Sequence, residues 1–279
     1  PYTTLFRSLA LTGLAWSIFQ LWVASPLPEW LGVGVLNAAH IRSLHLAFAV
    51  FLALLAYPAV RRERRPDIPR SDIVLATLAA LSAGYLALFY ASVSEHVGNP
   101  SSIEVATAAV GLTLLLEATR RVLGLPMVGL ALTLLTYIFF GKQMPDLIAH
   151  KGASFSHTMG HLWLGTEGVF GVALGVSAGF IFLFVLFGAL LETAGAGSYF
   201  IRSAVALLGH LRGGPAKAAV VASAATGLIS GSSITNVVTT GPLTIPLIKR
   251  VGYPAEKAAA IEVAASVNGT SPESTTTTP

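Results

Sequence analysis

The stretch Ala218 to Ile248, AAVVASAATGLISGSSITNVVTTGPLTIPLI, runs for 31 residues without a charged side chain, between Lys217 on one side and Lys249 and Arg250 on the other. Basic flanks favour the cytoplasmic face, so both ends want the same side of a membrane. A single crossing would strand one flank outside. Two full crossings need about 60 Å of helix, and these 31 residues supply roughly 46 Å before any turn is subtracted. The stretch is therefore expected to enter and return, as a re-entrant hairpin of two half-helices. Its tip falls on the polar run Ser230-Gly231-Ser232-Ser233-Ile234-Thr235-Asn236, with Thr239 and Thr240 on the returning arm. Pro242 and Pro246 are expected to break a regular helix in that arm.

Non-helical backbone at membrane depth is tolerated only where protein buries it or a wet cavity receives it, because an unsatisfied peptide group is costly in hydrocarbon. Such a tip can bind. Its freed carbonyls, hydroxyls and asparagine amide are hard oxygen ligands for a small cation such as sodium, and amides at a half-helix N-terminus can meet an anionic substrate. The competing explanation is close helix packing through Gly and Ser. Packing alone does not account for a run in which six of seven residues are polar or glycine.

The rest of the chain supports a lipid environment. Of 279 residues, 54% are hydrophobic and 11% are charged, too few charges for the surface of a soluble protein of this length. Cysteine is absent, which excludes disulfides, thiolate metal sites and a cysteine nucleophile. Six apolar runs of helical composition are read as spans: Leu5 to Ala24, Ser43 to Val60, Ile73 to Val93, Ile103 to Thr119, Leu125 to Gly141 and Gly168 to Leu191. Arg61-Arg62-Glu63-Arg64-Arg65-Pro66-Asp67-Ile68-Pro69-Arg70 carries five arginines and is placed in the cytoplasm. Alternation then leaves only Arg42, Lys142 and Lys151 outside among the 17 basic residues, with the N-terminus cytoplasmic. The stretch Phe200 to Leu208 is too short to cross and is read as a cytoplasmic interfacial helix. The expected class is thus an all-α polytopic membrane protein with about six spans, one interfacial helix, one re-entrant hairpin and the start of a discontinuous helix.

Other polar residues carry weaker signals. His150, His157 and His161 lie in the external segment Lys142 to Glu167, but a metal site would need a further ligand. An interfacial helix with His161 and Trp163 at headgroup level is the expected arrangement. Glu117 precedes Arg120 and Arg121 by three and four residues, which predicts a local ion pair. Glu262 has Lys257 five residues before it and no basic residue one turn later, so no local partner explains it. An intramembrane serine hydrolase would need a base near Ser232, and the hairpin holds neither His nor Asp.

The hairpin sequence, Ile229 to Gly241 followed by Ile245-Pro246-Leu247-Ile248-Lys249-Arg250-Val251-Gly252-Tyr253-Pro254, resembles the first hairpin of the large membrane subunit of TRAP transporters. It is similar in particular to the fused permeases, four helices plus twelve, that pair with TAXI-type binding proteins. Leu116-Glu117-Ala118-Thr119-Arg120-Arg121, Gly165 to Gly171, Leu174 to Ala178 and Arg212 to Ala218 agree with the same family. The resemblance implies sodium-coupled import of an organic anion, a carboxylate, delivered by a periplasmic TAXI-type binding protein across a bacterial or archaeal inner membrane. It implies no cofactor beyond Na+ as coupling ion, no nucleic-acid partner and no enzymatic activity. It gives Gly231, Ser232, Ser233 and Asn236 as the tip that holds sodium and faces substrate, with Ser230, Thr235, Thr239 and Thr240 as further candidates. Asn268-Gly269 falls where the family has an unwound point with a second set of sodium ligands. The domains implied are 9–124 as a small-subunit-like scaffold and 125–269 as the start of the transport domain, with the hairpin at about 218–248. A scaffold or interaction subunit without its own substrate site is the alternative. Residues 1–8, PYTTLFRS, are expected to be a non-native leader and 270–279 a non-native or disordered tail, and the chain is expected to be the N-terminal portion of a longer permease, unable to transport alone.

Overall fold

The computed structural model describes residues 2–59, 69–96, 98–211, 213–230 and 233–270. Within them the chain is all α, with no strand. Five helical segments there are long and apolar enough to cross a membrane: Ala38–Ala56, Arg70–Leu88, Ser102–Leu123, Leu125–Gln143 and Val172–Thr193. The expected first span is also a helix, Tyr2–Ala24, whose described apolar part is Ser8–Ala24. The arginine-rich linker lies outside the described residues from 61 to 68.

The chain packs as two compact units, Pro1–Ile181 and Phe182–Pro279. In the first, α1 is Tyr2–Ala24, α2 Leu27–Leu31, α3 Ala38–Ala56, α4 Arg70–Leu88, α5 Tyr90–Glu95, α6 Ser102–Leu123, α7 Leu125–Phe140, α8 Phe155–Met159 and α9 Val172–Val176. Helices α3, α4 and α6 form its centre because each presents a stripe of small or branched residues at spacings of three and four. The stripes are Ala39, Ser43, Leu46, Val50 and Leu54 on α3, Ala76, Ala79, Ala83 and Leu86 on α4, and Ala108, Gly111, Leu114 and Ala118 on α6. Small side chains let backbones approach closely enough for side chains to bond the neighbouring main chain. Ser43 donates to the Ala83 carbonyl at 2.7 Å and Ser82 to the Thr107 carbonyl at 2.8 Å.

Charges at one end of this bundle are paired. Glu117 accepts from Arg120 and Arg121 at 2.7 Å, as its spacing predicted, and Arg121 reaches on to Asp72 at 3.1 Å and to the Leu54 and Tyr57 carbonyls.

Three expectations for this unit are corrected. The third span ends at Leu88, and Tyr90–Glu95 is a separate helix after the non-helical Phe89. The sixth begins at Val172, because a turn closed by the Gly171 amide on the Gly168 carbonyl occupies the residues before it. Trp163 is not presented on the surface as an interfacial ring would be. It is 2% exposed, donates to the Ser82 carbonyl at 3.1 Å and stacks edge-on to Phe170, because Gly111 leaves room for its ring against α6. The π-helical turn Ser177–Ile181 follows α9, and Gln20 of α1 donates to the Ala178 carbonyl there.

The second unit holds α10 Phe182–Thr193, α11 Ala196–Leu208, α12 Gly214–Ser230, α13 Ser233–Arg250 and α14 Ala255–Thr270. Helix α11 covers the expected interfacial segment. It packs Ile201 and Ala204 on Ala218 and Ala222 of α12 and leaves Tyr199 and Leu207 exposed. Helices α12 and α13 are the two arms of the expected hairpin, and α13 runs back along α12, so that Thr240 lies beside Ser223 and Ile248 beside Ala216 and Ala219. Gly252, at φ 97, takes the left-handed backbone that ends α13 and turns the chain into α14.

Two expectations about these helices are corrected. α13 continues through both Pro242 and Pro246. Each proline removes one rung of the helical ladder, yet packing on α12 and α14 holds the helix together. α14 stays helical through Asn268 and Gly269 to Thr270, so no unwound point occurs there.

Candidate functional site

The buried polar residues described in the second unit gather on one face of each of three helices. On α13, Asn236, Thr240, Thr244 and Ile248 recur every four residues; α12 contributes Ala216, Ala219, Ser223 and Thr226; α14 contributes Ala258, Glu262 and Ser266. Facing one another, these stripes pack Ile248, Ala216, Ala219 and Ala258 at the base of the hairpin. Towards the tip they become polar, and Ser223, Asn236, Thr240, Glu262 and Ser266 are all fully or almost fully buried. Burial of five polar side chains is tolerable only when they satisfy one another.

Most of that satisfaction runs through Ser223 and Glu262. Ser223 donates its hydroxyl to Glu262 Oε1 at 2.8 Å and lies 3.1 Å from the Ser266 hydroxyl and 3.4 Å from that of Thr240. Thr240 also donates to Glu262 Oε1. The Asn236 amide nitrogen donates to the Ser223 carbonyl at 2.8 Å and to its hydroxyl at 3.3 Å. One carboxylate thus ties both arms of the hairpin to α14. Two acceptors, Asn236 Oδ1 and Glu262 Oε2, have no hydrogen-bond partner.

Of the residues expected at the site, Asn236 and Thr240 come together in this cluster. Gly231 and Ser232 lie outside the described residues. Ser230, Ser233, Thr235, Thr239, Asn268 and Gly269 are helical in backbone, and their side chains lie outside the described atoms. Ser223, Thr244, Glu262 and Ser266 were not anticipated. For Glu262 a signal existed, since a carboxylate with no local counter-charge in an apolar helix needs partners from elsewhere in the fold.

A second polar region lies in the first unit, where a cavity of about 400 Å³ is lined by Tyr90, His96, Glu104, His157, His161 and Glu167 among others. His96 lies 3.5 Å from Glu104, which also closes the capping box of α6 with Ser101. The rings of His157 and His161 are 6.5 Å apart, and no group of three metal-binding side chains occurs among the described residues.

Residues 110–272, more than half of the chain and the whole of the buried polar cluster, match the family described as Tripartite ATP-independent periplasmic transporter, DctM component. The C4-dicarboxylate TRAP transporter large permease protein DctM of Rhodobacter capsulatus is 31% identical over 140 residues, which are 50% of this chain and 28% of that protein. The chain therefore covers less than a third of that relative. No solved structure matches it.

Proposed function

The chain belongs to the DctM component family of tripartite ATP-independent periplasmic transporters, and from that premise we propose that it is the hairpin-bearing part of a sodium-coupled permease that imports a carboxylate. Family membership sets it among transporters rather than enzymes. The dicarboxylate in the name of the R. capsulatus relative makes a C4-dicarboxylate the first substrate to try. A periplasmic binding protein, of TAXI type on the hairpin's resemblance, hands over the anion, and the permease sits in the cell inner membrane with its N-terminus in the cytoplasm.

One observation carries this reading: within an apolar chain, the two arms of the hairpin bury Ser223, Asn236 and Thr240 against Glu262. Polar groups placed so in a membrane protein mark an ion or substrate path, because a helix pair that only needed to pack would do so with Ala and Gly. The tip residues Gly231, Ser232, Ser233 and Asn236 hold the sodium ion in this reading, and the helix start at Ser233 offers its amides to the anion.

The test is uptake. In proteoliposomes carrying the chain within its permease complex and supplied with the binding protein, a labelled C4-dicarboxylate should accumulate under an inward Na+ gradient, and Ser232→Ala with Asn236→Ala should abolish accumulation while insertion stays normal. Equal uptake under a K+ gradient would refute sodium coupling. Unchanged uptake in the double variant would favour a scaffold without its own site.

A further inference from the structure

Hydrogens are in short supply around Glu262. A hydroxyl has one hydrogen, yet the Thr240 hydroxyl lies within bonding reach of both the Asn236 carbonyl and Glu262 Oε1. The Ser223 hydroxyl is likewise shared among Glu262, Ser266 and Thr240. The hydrogens on the Asn236 amide nitrogen are directed at the Ser223 carbonyl and hydroxyl. Glu262 Oε2 and Asn236 Oδ1 are left without a partner, and both residues are 0% exposed. The excess is all acceptor, and it carries one negative charge.

Among the described residues nothing basic compensates it: Arg202 on α11, Lys217 on α12, Lys249 and Arg250 on α13 and Lys257 on α14 are all exposed, and none pairs with Glu262. A carboxylate buried without a counter-charge in a medium of low dielectric is too costly to persist as a bare anion, so a proton or a bound cation must neutralise it.

We propose that Glu262 is a ligand of a monovalent cation bound inside the α12–α13–α14 unit, with the Asn236 amide oxygen as its neutral partner and the hydroxyls of Ser223, Thr240 and Ser266 around it. The donor set is oxygen only, which suits a hard cation. A single carboxylate matches a single positive charge, whereas divalent sites of this kind gather several. The ion's identity as sodium rests on the sodium-coupled reading above, while its place rests on the geometry. The site draws on Glu262 and Ser266 of α14 and lies on the hairpin arms rather than at the tip alone.

The test is thermal unfolding of the full chain in detergent at fixed pH and ionic strength, with NaCl titrated against choline chloride. A ligand that binds only the folded state raises the midpoint with its concentration. The midpoint should rise and saturate with NaCl, Glu262→Gln should remove the rise, and Thr240→Val, which spares the carboxylate but removes a donor that orients it, should weaken the apparent sodium affinity about tenfold. A rise that persists in Glu262→Gln overturns the proposal, as does a wild-type midpoint that responds to pH but not to sodium, the signature of a proton in the cation's place. Should Glu262→Gln fail to fold, wild-type sodium affinity in both Thr240→Val and Ser223→Ala overturns it equally. The two readings fail separately: a sodium response that ignores Glu262 removes this site and leaves coupling standing, whereas uptake indifferent to the sodium gradient removes coupling and leaves a Glu262-dependent binding curve intact.

Discussion

Ser223 on α12 and Glu262 on α14 are joined by a hydrogen bond of 2.8 Å between residues 39 positions apart. With Thr240 of α13 bonding the same carboxylate oxygen, the returning arm, the entering arm and the following helix share one acceptor. α14 is thereby part of the hairpin's body, not a separate span beside it. A bond to a charged acceptor contributes about 1.5–3 kcal/mol, so Ser223→Ala should lower the unfolding free energy of the purified chain by that order and with it the midpoint, while Ser223→Thr, which keeps the hydroxyl, should retain much of it. Equal midpoints for Ser223→Ala and wild type would refute the shared acceptor.

Glu262 also marks where sequence reasoning stops. Spans, the hairpin and the Glu117 pair were legible because their causes are local: runs of apolar residues, basic flanks, and partners three and four positions away. The partners of Glu262 lie 22 and 39 positions away on other helices, and only the fold brings them together. The same holds for Trp163, whose aromatic ring suits an interface but whose actual seat is fixed by Ser82 and by the missing side chain of Gly111. Proline misled in the opposite sense. Its cost to a helix is local and real, yet in α13 it is outweighed by packing on two neighbours.

Within the first unit, Asp72 and Arg121 form a pair with both side chains 2% exposed, whereas Glu117, bonded to the same arginine, is 27% exposed. Removing Asp72 leaves the buried Arg121 guanidinium with only the part-exposed Glu117 as counter-charge, at a cost below the about 3–5 kcal/mol of a wholly uncompensated buried charge. Water can replace a half-exposed partner. Asp72→Ala should therefore destabilise the chain much more than Glu117→Ala, as read from detergent unfolding curves, and the reverse order would contradict the burial of Asp72.

Gly111 is occupied from outside: a Cβ there would overlap the Trp163 ring and the Ser82 hydroxyl. Gly111→Ala should cost about 1–3 kcal/mol as overpacking. The conflict is with the outer atoms of the indole, so Trp163→Phe in the same chain should recover part of the loss. A double-mutant cycle should give a favourable coupling of about 0.5–3 kcal/mol; strict additivity would show that the two residues do not meet.

The re-entrant course of the hairpin can be tested on its flanks, because the chain has no cysteine of its own. α12 and α13 are 17 and 18 residues long, each about 26 Å and so short of the roughly 30 Å hydrocarbon core. Two such arms returning to one side leave Lys217 and Lys249 on the same face, and both side chains are exposed. Single variants Lys217→Cys and Lys249→Cys should then react with a membrane-impermeant maleimide only in inside-out vesicles, as should a cysteine placed at Arg120, while Lys142→Cys should react only in right-side-out ones. The comparison of Lys217 with Lys249 tests the hairpin alone, and that with Arg120 tests the charge-based orientation. Labelling of Lys217→Cys and Lys249→Cys from opposite sides would mean that the stretch crosses once, and the basic flanks would then owe their positions to something other than topology.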